Sequence, residues 1–200
     1  MPTSPDPRIA DYFERVRQAL REMGIPDSLA SERRQSLQFE GDDLISIGVD
    51  QLGREQRLER RAAAAWCAMR AAAGEEGVEL FAASAYRSFD YQRQIIARKL
   101  AAGQALEQIL TVSALPGFSE HHTGRAIDIG TPGSPPITAA FEVTPAYAWL
   151  LHSAANFGFR MSYPRGNPHG VIFEPWHWLF VEDREARSTS LRPIVLFSAP

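Results

Sequence analysis

Apolar residues recur at helical spacing near the start of the chain. Ile9, Tyr12, Phe13, Val16, Leu20 and Met23 fall on one stripe that stops at Gly24, and Asp6 followed by Pro7 reads as N-cap and first helical residue. The polar face of this helix carries both charge signs, which favours docking on the domain's own core over a membrane surface. Ile45, Ile47 and Val49 alternate with polar or small residues, the period of a half-exposed strand. Asp50 then reads as the cap of a helix over roughly Leu52 to Ala73 that ends at Gly74 and carries Leu58, Ala62, Ala65 and Met69 on one side. Val78, Leu80 and Ala82 predict a second strand running into Tyr86-Arg87-Ser88, and helices follow near Asp90 to Ala102 and Ala105 to Val112.

Arg125 to Ile129 is short, apolar at Ala126, Ile127 and Ile129, and bounded by Gly124 and Gly130, so it reads as a buried strand carrying one carboxylate. The run from Gly130 to Pro136 is a surface loop by composition. Thr144-Pro145 starts another helix that closes near Asn156 and Gly158, and strands near Phe159–Ser162 and Val171–Val181 follow. Beyond Asp183, Leu191 to Phe197 reads as an edge strand or docked tail, because Pro193 argues against a central strand. Strands at both ends of clustered helices, without βαβ alternation, predict an α+β domain: a central, mainly antiparallel sheet with flanking helices. The expected division is a helical extension over 1–50 packed on the same domain, a core over 51–182 and a tail over 183–200.

The length of 200 residues and a hydrophobic share of 44% fit one domain with a real core. A net charge of −3, from 21 basic and 24 acidic residues, gives no broad cationic field, so neither nucleic acid nor an anionic membrane is an expected partner. Cys67 is the only cysteine, which excludes an internal disulfide and a cysteine-rich zinc site; it is expected to be a small buried packing residue. Residues 1–7 lack the basic-then-apolar order of an export signal, and no run is long and apolar enough to span a bilayer. As written, the chain is expected to be cytoplasmic; a truncated start would fit a periplasmic or extracellular protein.

The candidate chemistry lies in three strings. His121 and Asp128 are seven apart, with Gly124 between them where a turn can bring the chain back, and His177 can complete a three-ligand site for a borderline-soft metal. Glu174 and His177, three apart, would face opposite ways on an ideal strand, but Pro175 predicts a bend or bulge that turns both into one cleft. Arg87 falls at a strand end, where a site can be built.

Ser84-x-Tyr86-Arg87-Ser88-x-x-x-Gln92, then Pro116-Gly117-x-Ser119-Glu120-His121-His122-Thr123-Gly124-x-Ala126-x-Asp128, then Glu174-Pro175-Trp176-His177 resembles the VanY family of D-alanyl-D-alanine carboxypeptidases, over about Leu52 to Glu182. The resemblance implies a hedgehog/DD-peptidase-like fold with residues 51–182 as a zinc peptidase core. It also implies one Zn²⁺ held by His121, Asp128 and His177, with Glu174 outside the ligand set as general base for the attacking water. It makes Arg87 an electrostatic clamp for a carboxylate or developing oxyanion, and Gln92 and Ser119 residues that help hold a terminal D-residue. The implied activity is removal of a C-terminal D-alanine, D,D or L,D, from peptidoglycan stem peptides or muropeptides. Alternatives are a D-alanyl-D-alanine dipeptidase, an endolysin-like stem peptidase, and a non-catalytic zinc-containing muropeptide-binding module, against which the retention of Glu174 and Arg87 argues. The chain departs from the family at His122, where relatives often have glutamine, and at Leu179-Phe180, where relatives commonly place a tyrosine.

Overall fold

The computed structural model describes residues 7–181. Helix α1 spans Pro7–Glu22 and ends at Gly24, whose φ of 68° suits a residue without Cβ. A short helix α2, Leu29–Glu32, leads to an extended segment and strand β1, Leu44–Val49. β1 pairs antiparallel with β2, Glu55–Glu59. Residue 50 is therefore inside a hairpin, and the helix read from Leu52 begins eight residues late, as α3 over Arg60–Glu75. Asp50 caps the hairpin turn instead of a helix: its Oδ1 accepts from the backbone N–H groups of Leu52 and Arg54, each at 2.9 Å. Glu59 is the residue that caps α3, accepting from the N–H groups of Arg61 and Ala62.

The strand alternation of β2 is obscured because one inward-facing residue is polar. Gln56 and Leu58 are both buried, and Gln56 is satisfied there by accepting from Ala85 N–H at 2.8 Å and donating to Asp50 Oδ2 at 3.2 Å. On α3 the stripe Ala62, Trp66, Met69 and Ala73 faces the core. Cys67 lies off that stripe and is exposed, not buried.

The main sheet has four antiparallel strands in the order β3-β4-β6-β5. They are β3, Phe81–Ser84; β4, Ala126–Gly130; β5, Phe159–Met161; and β6, His177–Phe180. Between β3 and β4 come α4, Phe89–Ala101, and α5, Leu106–Ile109; between β4 and β5 comes α6, Pro145–Ser153. All five residues of β4 are buried. Strand alternation sends Ile127 and Ile129 into a core with Trp66 and Met69 of α3 and Leu150 of α6, and sends Asp128 to the opposite face. The segment over 171–176 is not strand: Glu174 to His177 is a turn closed by His177 N–H to Glu174 carbonyl at 3.1 Å, which is the form the expected bend takes.

A second core joins α1 to α4 and α5 through Val16, Leu20, Phe89, Ile96 and Ile109. The segment after α2 runs beside the motif residues. Gln38 N–H donates to the Gly117 carbonyl at 2.7 Å and Gly41 N–H to the His122 carbonyl at 2.8 Å. Glu40 accepts from Arg15, from Tyr86 Oη and from Phe89 N–H, where α4 begins. The strand or tail read over Leu191–Phe197 lies outside the described residues. Among those residues, no helix is long and apolar enough to cross a membrane.

Candidate active site

Strand register brings the metal-ligating candidates together. On β4, Asp128 sits opposite His177 of β6 on one side and Ser84 of β3 on the other. His121 comes from a 3-10 turn over Glu120–Thr123 that ends at Gly124, with φ 69°. A Cβ on Gly124 would lie 2.5 Å from Leu44 Cδ2 and 2.9 Å from Glu59 N, so the turn needs glycine for both its backbone angle and its space. His121, Asp128 and His177 are all buried, with one potential ligand atom from each within 4.8 Å of the others.

The hydrogen bonds set the ring tautomers. The carbonyl of Ala85 can only accept, so His121 Nδ1, 2.6 Å away, carries the proton and leaves a lone pair on Nε2. That lone pair lies 3.3 Å from Asp128 Oδ2. Burial holds His121 below the ordinary imidazole range, so two acceptors face each other without a proton to share. A cation resolves that conflict, and two imidazoles with one carboxylate are the donors that zinc takes. The chemistry of this set fits zinc on those grounds.

His177 is held from both ends. Nδ1 lies 3.0 Å from Asp128 Oδ1, and Nε2 lies 2.9 Å from Glu120 Oε2. Burial alone would push this ring down, but the bonds and charges of Asp128 and Glu120 override it and raise the pKa to about 10. Burial also opposes the charge on Asp128, yet His121 and His177 hold that carboxyl below the usual carboxylate range. Glu120 is likewise lowered against burial, chiefly by His177. A carboxylate on the far nitrogen of a ligating imidazole fixes its orientation and raises its basicity, and Glu120 occupies that position relative to His177.

Glu174 lies apart from the ligand cluster, with Oε2 3.9 Å from His177 Nδ1. It is 8% exposed, and burial pushes its carboxyl up to about 7, with Asp128 and Glu120 adding to the rise and His177 and Arg87 opposing it. Arg87 is half-buried; its backbone N–H donates to the His121 carbonyl at 3.1 Å, and its own carbonyl accepts from His122 Nδ1 at 2.6 Å. His122 is fully buried, accepts from Gly117 N–H at 3.1 Å through Nε2, and is pushed down to about 4 by burial, so it is a neutral brace between two motif strings. Arg87 Nε is buried without a hydrogen-bond partner, and no ion pair of Arg87 occurs among the described residues.

Gln92 and Ser119 line the same cleft, together with Arg87, Glu174 and the three ligand candidates. Gln92 is 1% exposed; its Nε2 donates to the Ala114 carbonyl at 2.7 Å while Oε1 has no partner. Tyr163 also lines the cleft, its ring 4.8 Å from that of His177, with a phenol raised well above its usual range by burial. It supplies an aromatic hydroxyl group in a protein that has Leu179-Phe180 where relatives commonly place a tyrosine. Glu120 and Tyr163 were both missed in the sequence. For Glu120 a signal existed, an acid adjacent to a ligand histidine, but for Tyr163 no local pattern pointed to the site.

A three-residue donor set in an open cleft, with a separate buried carboxylate beside it, defines a site of the mononuclear metallohydrolase type. Residues 55–183 match VanY, described as D-alanyl-D-alanine carboxypeptidase, and the chain belongs to that family. It is 32% identical over 145 residues to the D-alanyl-D-alanine carboxypeptidase of Enterococcus faecalis (strain ATCC 700802 / V583), covering 68% of this chain and 52% of the relative. Among solved structures, the LdcB LD-carboxypeptidase matches with a TM-score of 0.66 at 32% identity, covering 74% of this chain and 72% of that one. A mutant of the vancomycin resistance D,D-pentapeptidase VanY from the VanB-type resistance cassette, solved in complex with Zn(II), matches with a TM-score of 0.57 at 29% identity, covering 76% and 84%. The chain spans 57% and 52% of the length of two curated carboxypeptidase relatives that it matches.

Proposed function

We propose that this chain is a zinc-dependent carboxypeptidase that removes a C-terminal D-alanine from peptidoglycan stem peptides or their precursors. The observation that carries the reading is the separation of roles in the cleft. His121, Asp128 and His177 converge on one point, while Glu174 lies beside them, buried and raised to about 7. A carboxylate outside the ligand set is free to take a proton and return it. When bound, zinc supplies a Lewis acid for the scissile carbonyl and makes water acidic enough to attack it.

The chain's own residues do the rest. The Glu174 carboxylate accepts the proton of the attacking water and delivers it to the nitrogen of the leaving D-alanine. The Arg87 guanidinium, without a carboxylate of its own among the described residues, holds the negative charge of the substrate. Gln92 Oε1, buried and unpaired, accepts an N–H of the terminal residue, and Ser119 lies on the same wall. Tyr163 packs on His177 and keeps bulk water from that side.

Zinc-loaded protein incubated with a pentapeptide stem ending in D-alanyl-D-alanine, and with the corresponding tetrapeptide, should release D-alanine from at least one, and chelation should stop it. Release from the pentapeptide marks D,D specificity and from the tetrapeptide L,D specificity. Release from neither overturns the proposal.

A further inference from the structure

Lys99 lies on α4 seven residues after Gln92, so the two share one helix face. Its ammonium, half-buried, donates to Ser113 Oγ at 2.8 Å. Among the described residues it has no ion pair. The neighbouring cations on α4 behave differently: Arg93 pairs with Glu22, and Arg98 lies over the ring of Tyr91. A lysine without a structural role would turn its head to water or to an acid. Lys99 turns it toward the wall of the cleft.

Ser113 is 8% exposed and lines that cleft beside Ala114, whose carbonyl holds Gln92. An ammonium has only donors, so Ser113 Oγ must accept in this bond, and its own proton is left to give. The charge of Lys99 is felt within the site: burial and Arg87 lower its pKa, and Glu174 raises it. Lys99 and Arg87 thus have no acid partner among the described residues and the Oε1 of Gln92 has no donor, while Ser113, Arg87 and Gln92 line one cleft. Two donors and one acceptor match the end of a peptide, which presents a carboxylate and an amide N–H.

We propose that Lys99, acting through the Ser113 hydroxyl, is a specificity-determining residue that shares with Arg87 the recognition of a free terminal carboxylate, so that the cleft reads a chain end and not an internal amide. This rests on the carboxypeptidase reading and deepens it. Ser113 makes the contact, and Lys99 aims and strengthens the hydroxyl as a donor.

The test compares a pentapeptide stem as its free acid with the same peptide as its C-terminal amide, on zinc-loaded protein. Lys99→Met should raise KM for the acid about tenfold or more, the low end of what a hydrogen bond to a charged group contributes, with kcat within about twofold. It should leave the amide unaffected; Lys99→Arg should restore the preference, and Ser113→Ala should reproduce its loss. Equilibrium binding of both peptides supplies a readout that needs no turnover, and a thermal melt confirms that each variant folds. If the unaltered protein cleaves neither peptide, the carboxypeptidase reading falls, and the binding ratio still decides the role of Lys99. An acid-to-amide ratio unchanged in Lys99→Met, or an equal loss for both peptides, overturns the proposal.

Discussion

Replacing Glu174 by glutamine keeps the shape of the side chain and removes its ability to exchange a proton. Raising a carboxyl from 4.5 to about 7 corresponds to about 3 kcal/mol in favour of its neutral form. The unfolded chain ionises this group near its ordinary value, whereas the folded, metal-free chain holds it neutral until about 7. Its contribution to stability is therefore present at low pH, falls as pH rises through that window, and is constant above it. Glutamine is neutral throughout. Metal-free Glu174→Gln should thus gain about 2–3 kcal/mol relative to the unaltered protein between pH 5 and pH 8, read from urea denaturation at both values. The zinc-loaded variant should bind one ion and lose about 10²- to 10⁴-fold in kcat. A constant stability difference across that pH range would refute the burial argument. Retained hydrolysis would refute the proton-transfer role, and loss of zinc together with activity would place Glu174 in the ligand set.

Three further outcomes follow from the same geometry. Glu120→Gln should weaken zinc binding about 10- to 100-fold in a chelator competition, and an unchanged affinity would show that His177 is oriented without it. Zinc binding at pH 8–9 should release at least one proton, that of His177, because His121 is already neutral and Asp128 already ionised; affinity should climb with pH there, and calorimetry in buffers of different ionisation enthalpy detects it. Gly124→Ala should cost at least about 1–2 kcal/mol in chemical denaturation from its left-handed backbone alone, with the crowding against Glu59 and Leu44 adding to that.

The clustering of the metal-ligating candidates was legible because they sit in short strings whose local structure is simple. β4 is an apolar run closed by glycines, and its alternation alone isolates Asp128 on one face. Pro175 foretold that Glu174 and His177 could not lie on one straight strand. The β1–β2 hairpin was not legible, because Gln56 occupies an inward position where the pattern asks for an apolar side chain, and only its tertiary partners Ala85 and Asp50 make that acceptable. Cys67 was misplaced because a run of alanines shows little of which helix face is buried. Glu120 reaches His177 across 57 residues of sequence, a pairing that no local spacing encodes.

Residues 38–41 lie before the stretch that carries the family match, yet they are bonded to Gly117, His122, Tyr86 and Phe89. The piece of chain that bears the ancestral signature is consequently smaller than the piece that holds its arginine steady. Transplanting the signature alone into another scaffold would carry over His121, Asp128 and His177 while leaving the stretch around Arg87 without its splint.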